Sequence, residues 1–188
     1  MRNSVDALIK DGTKQCYLTR TFYNYIICKY DPWIVGSNIF LVNGEPSVFG
    51  FIKFLVSIFY IGKGKRTRML DHLNDARKLF NTTKCISKPS HKDKVILREF
   101  RNDKGILIIP VYDSSNHFEA LNRECVMIES RGLDNLCNKV RGSSYGLDSW
   151  NSYKRCNYGY MLLYGAYKRY ISERLMPIKI NELLTRKL

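Results

Sequence analysis

The sequence lacks any closely spaced pair of cysteines. Its 188 residues include six cysteines, and the nearest two are twelve positions apart. Because tetrahedral zinc sites are usually built from close cysteine pairs, this spacing argues against a zinc-binding module. We expect the thiols to be reduced, mostly buried and without disulfide partners. The six are Cys16, Cys28, Cys85, Cys125, Cys137 and Cys156.

Long apolar runs are also missing. The longest, over residues 48–61, is interrupted by Gly50, Lys53 and Ser57, so it is too short and too polar to span a bilayer. The first residues, Met-Arg-Asn-Ser-Val-Asp, lack the apolar core of a secretory signal. We therefore expect no membrane association and an intracellular location, in the nucleus, the cytoplasm or both.

Acidic residues are few compared with basic ones. The chain has 17 Asp and Glu against 31 Lys and Arg, which gives a net charge of +14. Such an excess predicts a polyanionic partner, with nucleic acid favoured over an anionic membrane. The 13 tyrosines suit base stacking as well as core packing. A basic nucleic-acid-binding module without catalysis is one hypothesis that this composition supports.

The length and a hydrophobic fraction of 45% predict one domain over residues 1–188. Residues 1–15 are expected to form a flexible arm. Apolar periodicity and breaker residues then predict strands and helices along the rest of the chain. The strands are expected over 21–28, 57–61 and 106–112, with the first two paired, and the helices over 48–56, 67–81, 91–103, 118–130 and 157–174.

One stretch organises the functional hypothesis. An apolar strand runs into Gly62-Lys63-Gly64, and a basic helix start follows. A Gly-Lys-Gly corner suits a place where backbone and cations meet a phosphate. Arg68 and His72 are four residues apart, which places both on one face of a helix. The competing interpretation is a basic corner that is only solvated, and the stretch alone does not decide between the two.

Several polar residues elsewhere complement this stretch. Phosphodiester hydrolysis needs a cation to stabilise the pentacovalent phosphate, a carboxylate to hold a divalent metal, and a proton acceptor for the attacking water. A single carboxylate among the candidates argues against a two-metal nuclease. The candidates are Tyr25, Tyr60, Arg66, Arg68, His72, Glu124 and Asn138.

These residues give the chain a resemblance to the GIY-YIG endonuclease superfamily. Tyr60-Ile61-Gly62 matches the second half of the name, and Tyr25 within Asn24-Tyr25-Ile26 is the best match to the first half. The helical arginine with a partner four residues on, a metal-binding Glu with an Ile four residues later, and a terminal Asn complete the pattern. In this sequence the arginine and its partner are Arg68 and His72, the Glu and the later Ile are Glu124 and Ile128, and the terminal Asn is Asn138.

A long gap between Tyr25 and Tyr60 points to a narrower family. The chain resembles the nuclease domain of the metazoan ankyrin-repeat and LEM-domain-containing endonucleases over roughly residues 12–180. The resemblance implies an α+β fold, in which helices flank a small mixed or antiparallel central sheet. It also implies a family-type insertion over residues 33–56 and an extra C-terminal helical extension over residues 150–180.

The same resemblance implies a divalent-metal endonuclease that cuts flaps, forks and junctions in DNA. Tyr25 or Tyr60 would help to activate the water, with Lys63 nearby, and His72 would assist proton transfer or bind phosphate. Glu124 would ligate one Mg²⁺ or Mn²⁺, and Asn138 would orient the site. Arg68 is the preferred phosphate-stabilising residue and Arg66 is the fallback.

Basic residues that follow the site are candidates for contacts with the DNA backbone, which give affinity without sequence preference. They are Lys65, Lys139, Arg141, Lys154 and Arg155. The run from Lys84 to Arg101 is expected to be a solvated charged face, with contact to the DNA backbone as the alternative, and His91 and His117 are expected to have no special role. A homing-type endonuclease with a preferred sequence is a further alternative, with the same chemistry.

Overall fold

The computed structural model of the chain describes residues 22–31, 41–42, 45–65, 67–81, 88–114 and 116–185. The predicted arm over residues 1–15, part of the predicted insertion over residues 33–56, and Arg66 lie outside the described residues.

Five strands and six helices are described. The strands are β1 (Phe22–Lys29), β2 (Leu41–Val42), β3 (Glu45–Pro46), β4 (Ile58–Lys65) and β5 (Ile106–Ser114). The helices are α1 (Val48–Ser57), α2 (Arg68–Asn81), α3 (His91–Arg101), α4 (His117–Arg131), α5 (Ser152–Glu173) and α6 (Ile180–Leu184), with a 3₁₀ turn at Leu133–Asn135. None of the described helices is both long enough and apolar enough to cross a membrane.

The main sheet is antiparallel and has the order β4-β1-β5. The predicted pairing of the first two long strands, β1 and β4, is therefore confirmed. β5 is an edge strand, a position that suits its Pro110, because proline cannot donate to a further strand. With helices on both sides of this small sheet, the predicted α+β class is also confirmed.

Both faces of the sheet are buried, because β1 alternates apolar side chains between them. Tyr25 and Ile27 face one cluster, which also contains residues of α2, α3 and α6. Ile26 and Cys28 face the other cluster, which contains residues of α1, α4 and α5. The sheet is thus held between two groups of helices, one packed on each face.

The helix ends follow capping chemistry. Asn116 caps α4, since its side chain accepts the backbone N–H of Phe118 at 2.9 Å, and Gly132 ends the same helix with a positive φ of 83°. The last long helix begins at Ser152 rather than at residue 157, because Asn151 caps it by accepting the Lys154 N–H at 2.8 Å.

The predicted Gly-Lys-Gly corner is wrong. Gly62, Lys63 and Gly64 lie inside β4, which continues to Lys65, and neither glycine has a positive φ. These glycines serve a different purpose: each lies opposite a tyrosine of β1, and its missing side chain leaves room for the ring.

Candidate active site

Three aromatic side chains meet on the α2 side of the sheet. Tyr25 comes from β1, Tyr60 from β4 and His72 from α2, and the Tyr25 hydroxyl lies 2.6 Å from His72 Nε2. The ring centroids are 6.1 Å apart for Tyr25 and Tyr60, and 5.3 Å apart for Tyr60 and His72. The structure therefore brings both predicted tyrosines and the predicted histidine together.

Gly62 makes this arrangement possible. It pairs with Tyr25 across the β1–β4 ladder, and a Cβ atom on Gly62 would stand 2.5 Å from Tyr25 Cζ. Tyr25 can lie flat across the neighbouring strand only because that side chain is missing. Its side chain is 1% exposed, so the hydroxyl position is fixed by packing.

Glu124 reaches the same strand from the other group of helices. It projects from α4 and its Oε1 accepts the backbone N–H of Lys63 at 2.9 Å. Burial raises the pKa of the Glu124 carboxyl, while the Lys63 N–H and the Lys63 charge lower it. Burial is the main cause that raises the pKa of Tyr60, and the Glu124 charge adds to it.

Asn138 closes the free edge of β4. Its Oδ1 accepts the Ile61 N–H at 3.1 Å, and its Nδ2 donates to the Ile61 carbonyl at 2.7 Å. The neighbouring Cys137 N–H donates to the Phe59 carbonyl at 2.7 Å. Residues 59, 61 and 63 all present their backbone groups outward, so Asn138 and Glu124 occupy adjacent positions along one edge.

Lys92 is a functional candidate that the sequence interpretation missed. It projects from α3, and its Nζ lies 2.6 Å from His72 Nδ1 and 4.9 Å from the centroid of the Tyr60 ring. The expectation of a solvated charged face over 84–101 is therefore wrong for Lys92, which is half-buried, and for Glu99, which is buried. The sequence does indicate this position, because Lys92 is three and four residues before the apolar Val95 and Ile96, which places all three on the buried face of one helix.

The histidine is electrically neutral at ordinary pH. Burial first, and then the positive charges of Lys92 and Arg68, lower the pKa of His72 from 6.5 to about 4. Burial likewise raises the pKa of Tyr25 far above its ordinary range, and burial also raises that of Tyr60. The site thus holds a neutral imidazole and two neutral phenols, with burial opposing the charged form of each.

The contacts define a hydrogen-bonded chain. A protonated Lys92 has no acceptor, so it donates to His72 Nδ1 and leaves the imidazole proton on Nε2. His72 Nε2–H then donates to the Tyr25 oxygen. The Tyr60 ring lies beside Tyr25, with the ring centroids 6.1 Å apart, and interaction with Tyr60 adds to the burial that raises the pKa of Tyr25. Three side chains, from α3, α2 and β1, are thus hydrogen-bonded in series, and Tyr60 of β4 packs beside the last of them.

The predicted cations lie in different environments. Arg68 begins α2 with its side chain 61% exposed and 3.3 Å from Asp71, and its charge lowers the pKa of both tyrosines. Lys63 directs its ammonium away from the tyrosines, to His117 Nε2 at 2.6 Å. His117 was expected to be a plain residue at a helix start, and it does begin α4, but it also contacts a site residue.

The residues predicted to contact the DNA backbone are mostly exposed. These are Lys65, Lys139, Arg141 and Lys154. Lys154 Nζ lies 4.3 Å from the centroid of the Trp150 ring. Arg155 differs, because it forms an ion pair with Glu129 on α4, with a distance of 2.9 Å from Nε to Oε2. Its charge is already compensated within the fold.

The donor set fits a hydrated hard cation. Among the described residues no group of three or more His, Cys, Asp or Glu side chains could hold a metal ion. Mg²⁺ does not need such a cage, because it keeps several waters and is bound through one or two carboxylates and substrate phosphates. Glu124 offers Oε2, which makes no hydrogen bond to any described residue.

Comparison with known proteins agrees with this geometry. A sequence model of the LEM-3-like GIY-YIG domain matches residues 22–184. The chain belongs to this family. The LEM-3-like GIY-YIG domain is a nuclease domain, so the predicted family and the general expectation of an endonuclease are confirmed. No solved structure matches the chain.

The curated relatives of this LEM-3-like domain are much longer proteins. The chain is 34% identical over 134 residues to the ankyrin repeat and LEM domain-containing protein 1 homolog of Caenorhabditis elegans, which covers 71% of the chain. It is 28% identical over 134 residues to the Mus musculus ankyrin repeat and LEM domain-containing protein 1, again covering 71% of the chain. The Homo sapiens protein of that name is 29% identical over 124 residues, or 64% of the chain. The matches span 18%, 25% and 20% of these relatives.

Proposed function

We propose that this LEM-3-like GIY-YIG domain is a divalent-metal-dependent DNA endonuclease that cuts branched DNA. The observation that carries the proposal is that one strand, β4, holds Tyr60 beside the hydrogen-bonded Tyr25–His72 pair and, three residues on, the Lys63 N–H that binds Glu124. The net charge of +14 favours a polyanionic substrate. The preference for branches comes from the family resemblance, and the intracellular location stays a prediction.

In this mechanism Tyr60 receives the proton of the attacking water. The water oxygen forms the new bond to phosphorus, and the leaving oxygen departs with the electrons of the broken P–O bond and takes a proton from solvent. A neutral phenol with a raised pKa is a poor place to leave a negative charge, so Tyr60 must pass its own proton on as it accepts another. Tyr25 is the neighbour that receives it.

Lys92 sets the direction of this relay. When Lys92 is a free amine, His72 carries its proton on Nδ1, and the whole chain is reversed. Tyr60 then donates to Tyr25, Tyr25 to His72 Nε2, and His72 Nδ1 to Lys92, which ends as an ammonium ion. Burial lowers the pKa of Lys92, which favours the free amine that this step requires.

The remaining roles follow from position. Glu124 would hold one Mg²⁺ or Mn²⁺, which supplies charge stabilisation to the phosphate. Asn138 fixes the edge of β4 through both backbone groups of Ile61. Arg68 is our preferred partner for the developing phosphate charge, because its exposed side chain is available and its charge already acts on the tyrosines. Arg66 is the alternative arginine.

The direct test is cleavage of an end-labelled DNA fork in Mg²⁺, compared with a blunt duplex of the same sequence. The proposal expects cuts near the branch in the fork and much slower cutting of the duplex. Glu124→Ala should be inactive, whereas Glu129→Gln on the same helix should cut. Inactivity of the wild type on every branched substrate, or full activity of Glu124→Ala, would overturn the proposal.

The two alternatives give different results in the same experiment. A non-catalytic binding module would bind DNA in a salt-sensitive way and cut nothing with or without metal. A homing-type nuclease would cut a preferred sequence in an unbranched duplex. The fork and the duplex therefore separate the structure-selective nuclease from the two alternatives, and cutting of a duplex at one sequence separates the alternatives from each other.

A further inference from the structure

A second group of aromatic side chains lies beside the active site, near the start of α4. We call Phe22, His117, Phe118 and Tyr145 the aromatic platform. Neighbouring ring centroids are 4.9 Å apart for Phe22 and His117, 5.8 Å for His117 and Phe118, and 4.7 Å for Phe118 and Tyr145. Phe118 is 52% exposed and Tyr145 is 47% exposed, so the rings present open faces to solvent.

Lysines border one end of the platform. Lys63 Nζ lies 5.5 Å and Lys65 Nζ 5.2 Å from the centroid of the Phe22 ring. Lys63 Nζ also lies 2.6 Å from His117 Nε2. Aromatic faces interleaved with cations are the surface that single-stranded nucleic acid needs, because bases stack on the rings while the cations follow the phosphates.

The fold holds the platform in place. The Asn122 side chain on α4 accepts the Tyr145 N–H at 2.6 Å and donates to the Tyr145 carbonyl at 2.9 Å. In the same loop, a Cβ atom on Gly142, which has a φ of 88°, would stand 3.5 Å from Cys125 Cα. The loop that carries Tyr145 is thus hydrogen-bonded to α4 in the free protein. Binding of a ligand to this loop therefore costs little additional conformational entropy.

The platform is continuous with the catalytic edge through Lys63. The backbone N–H of Lys63 donates to Glu124, while its ammonium reaches His117. One residue therefore joins the proposed metal-binding carboxylate to the first rings of the platform. A DNA strand whose phosphate lies at Glu124 would bring its adjacent nucleotides over this surface.

We infer that the aromatic platform binds unpaired bases of the DNA strand next to the phosphate that is cut. This inference rests on the proposed function and adds the feature of a branch that the domain recognises. A paired base cannot expose its face to a protein ring, whereas a base in a flap or at a fork can. An apolar protein segment fits less well, because it would desolvate Lys63 and Lys65 without offering them an anion.

Binding without metal tests the inference apart from cleavage. Fluorescence anisotropy would measure the affinity of the wild type and of the Phe118→Ala/Tyr145→Ala double variant for a labelled oligothymidylate and for a blunt duplex. Losing a stacked base costs about 1–3 kcal/mol, so affinity for the single strand should fall about tenfold or more. Affinity for the duplex should change less than about twofold.

Phe49 offers a matched control. It is 53% exposed, and Lys53 Nζ lies 5.6 Å from the centroid of its ring, but it lies on α1. Phe49→Ala should bind both DNAs like the wild type. Tyr145→Phe, which keeps the ring and the backbone held by Asn122, should retain single-strand affinity.

The outcomes separate this inference from the proposed function. Equal loss of single-strand and duplex affinity in the double variant, or no loss at all, would overturn the platform. Platform-dependent binding by a wild type that cuts no branched DNA would refute the proposed function alone. Because Phe118 and Tyr145 are exposed, a thermal melt of the double variant close to that of the wild type should show that the variant is folded.

Discussion

Gly62 lies directly opposite Tyr25 in the pairing of β1 with β4, and a Cβ atom on Gly62 would stand 2.5 Å from Tyr25 Cζ. The glycine in the family motif therefore acts here as a space for a tyrosine ring. It sets the position of the Tyr25 hydroxyl, 2.6 Å from His72, from the neighbouring strand. A residue without any side chain thus controls the geometry of the proton relay.

Gly62→Ala should slow cleavage strongly while it lowers the stability of the fold only moderately. The added methyl group must displace the Tyr25 ring, which lowers the free energy of unfolding by about 1–3 kcal/mol. A displacement of this kind should slow cleavage on the order of 100-fold. Gly64→Ala is the matched control, because its Cβ would stand 2.7 Å from Tyr23 Cζ, and Tyr23 is outside the relay. Cleavage of a fork and urea unfolding measure both effects; equal cleavage by the two variants would contradict this role for Gly62.

Glu124→Gln should abolish cleavage while the fold is kept. The amide retains an oxygen for the Lys63 N–H but loses the charge that would hold Mg²⁺ or Mn²⁺, and we expect a fall in rate of about 100-fold or more. Burial raises the pKa of Glu124, so removing its charge should not lower the free energy of unfolding. Glu129→Gln, which breaks the Arg155 ion pair instead, should lower stability and spare cleavage. The opposite pattern in the two variants would show that Glu124 is structural.

His72 should make stability fall in acid. Its pKa in the folded protein is about 4, below the ordinary 6.5, so the unfolded chain takes up the proton first as the pH falls. The contribution of His72 to the free energy of unfolding is fully present above about pH 6.5. It is lost as the pH falls to about 4, which lowers the free energy of unfolding by on the order of 3 kcal/mol. Burial is the main cause; Lys92 and Arg68 add to it and Asp93 opposes it.

Urea unfolding of the wild type and of His72→Gln at a series of pH values measures this term. Other groups titrate in both proteins, so their contributions cancel in the difference. The curve for His72→Gln should be flatter between pH 4 and 6.5. Parallel curves would mean that His72 does not carry the pH dependence.

Lys92 should be needed for cleavage as an amine that can lose its proton. Lys92→Met should slow cleavage of a fork about 100-fold, since it removes the end of the relay. Lys92→Arg should not restore the rate, because arginine stays protonated. Lys94→Met, an exposed neighbour on the same helix, should cut normally. If the Lys92→Arg variant is active, Lys92 acts through its positive charge and does not accept a proton, which would contradict the relay.

Local patterns in the sequence predicted much of the fold. The β-branched and aromatic residues of β1, the caps of α4 and the proline of β5 all act over a few residues, so they are visible without the tertiary structure. The motif around Tyr60, together with the spacing of Arg68 and His72 and of Glu124 and Asn138, led to the family that the comparison confirms. The start of α5 was missed because Asn151 was not recognised as its cap.

The sequence alone therefore determined the family, the long strands and helices, and the set of side chains available for chemistry; it did not predict the short β2, β3 and α6. Only the tertiary structure decided how these side chains are connected. It placed Lys92 against His72, moved Gly62-Lys63-Gly64 from a corner into an edge strand, and paired Arg155 with Glu129. The reason is physical: these contacts join residues distant in sequence across strand edges and helix faces, and no local periodicity records which distant residue will lie opposite.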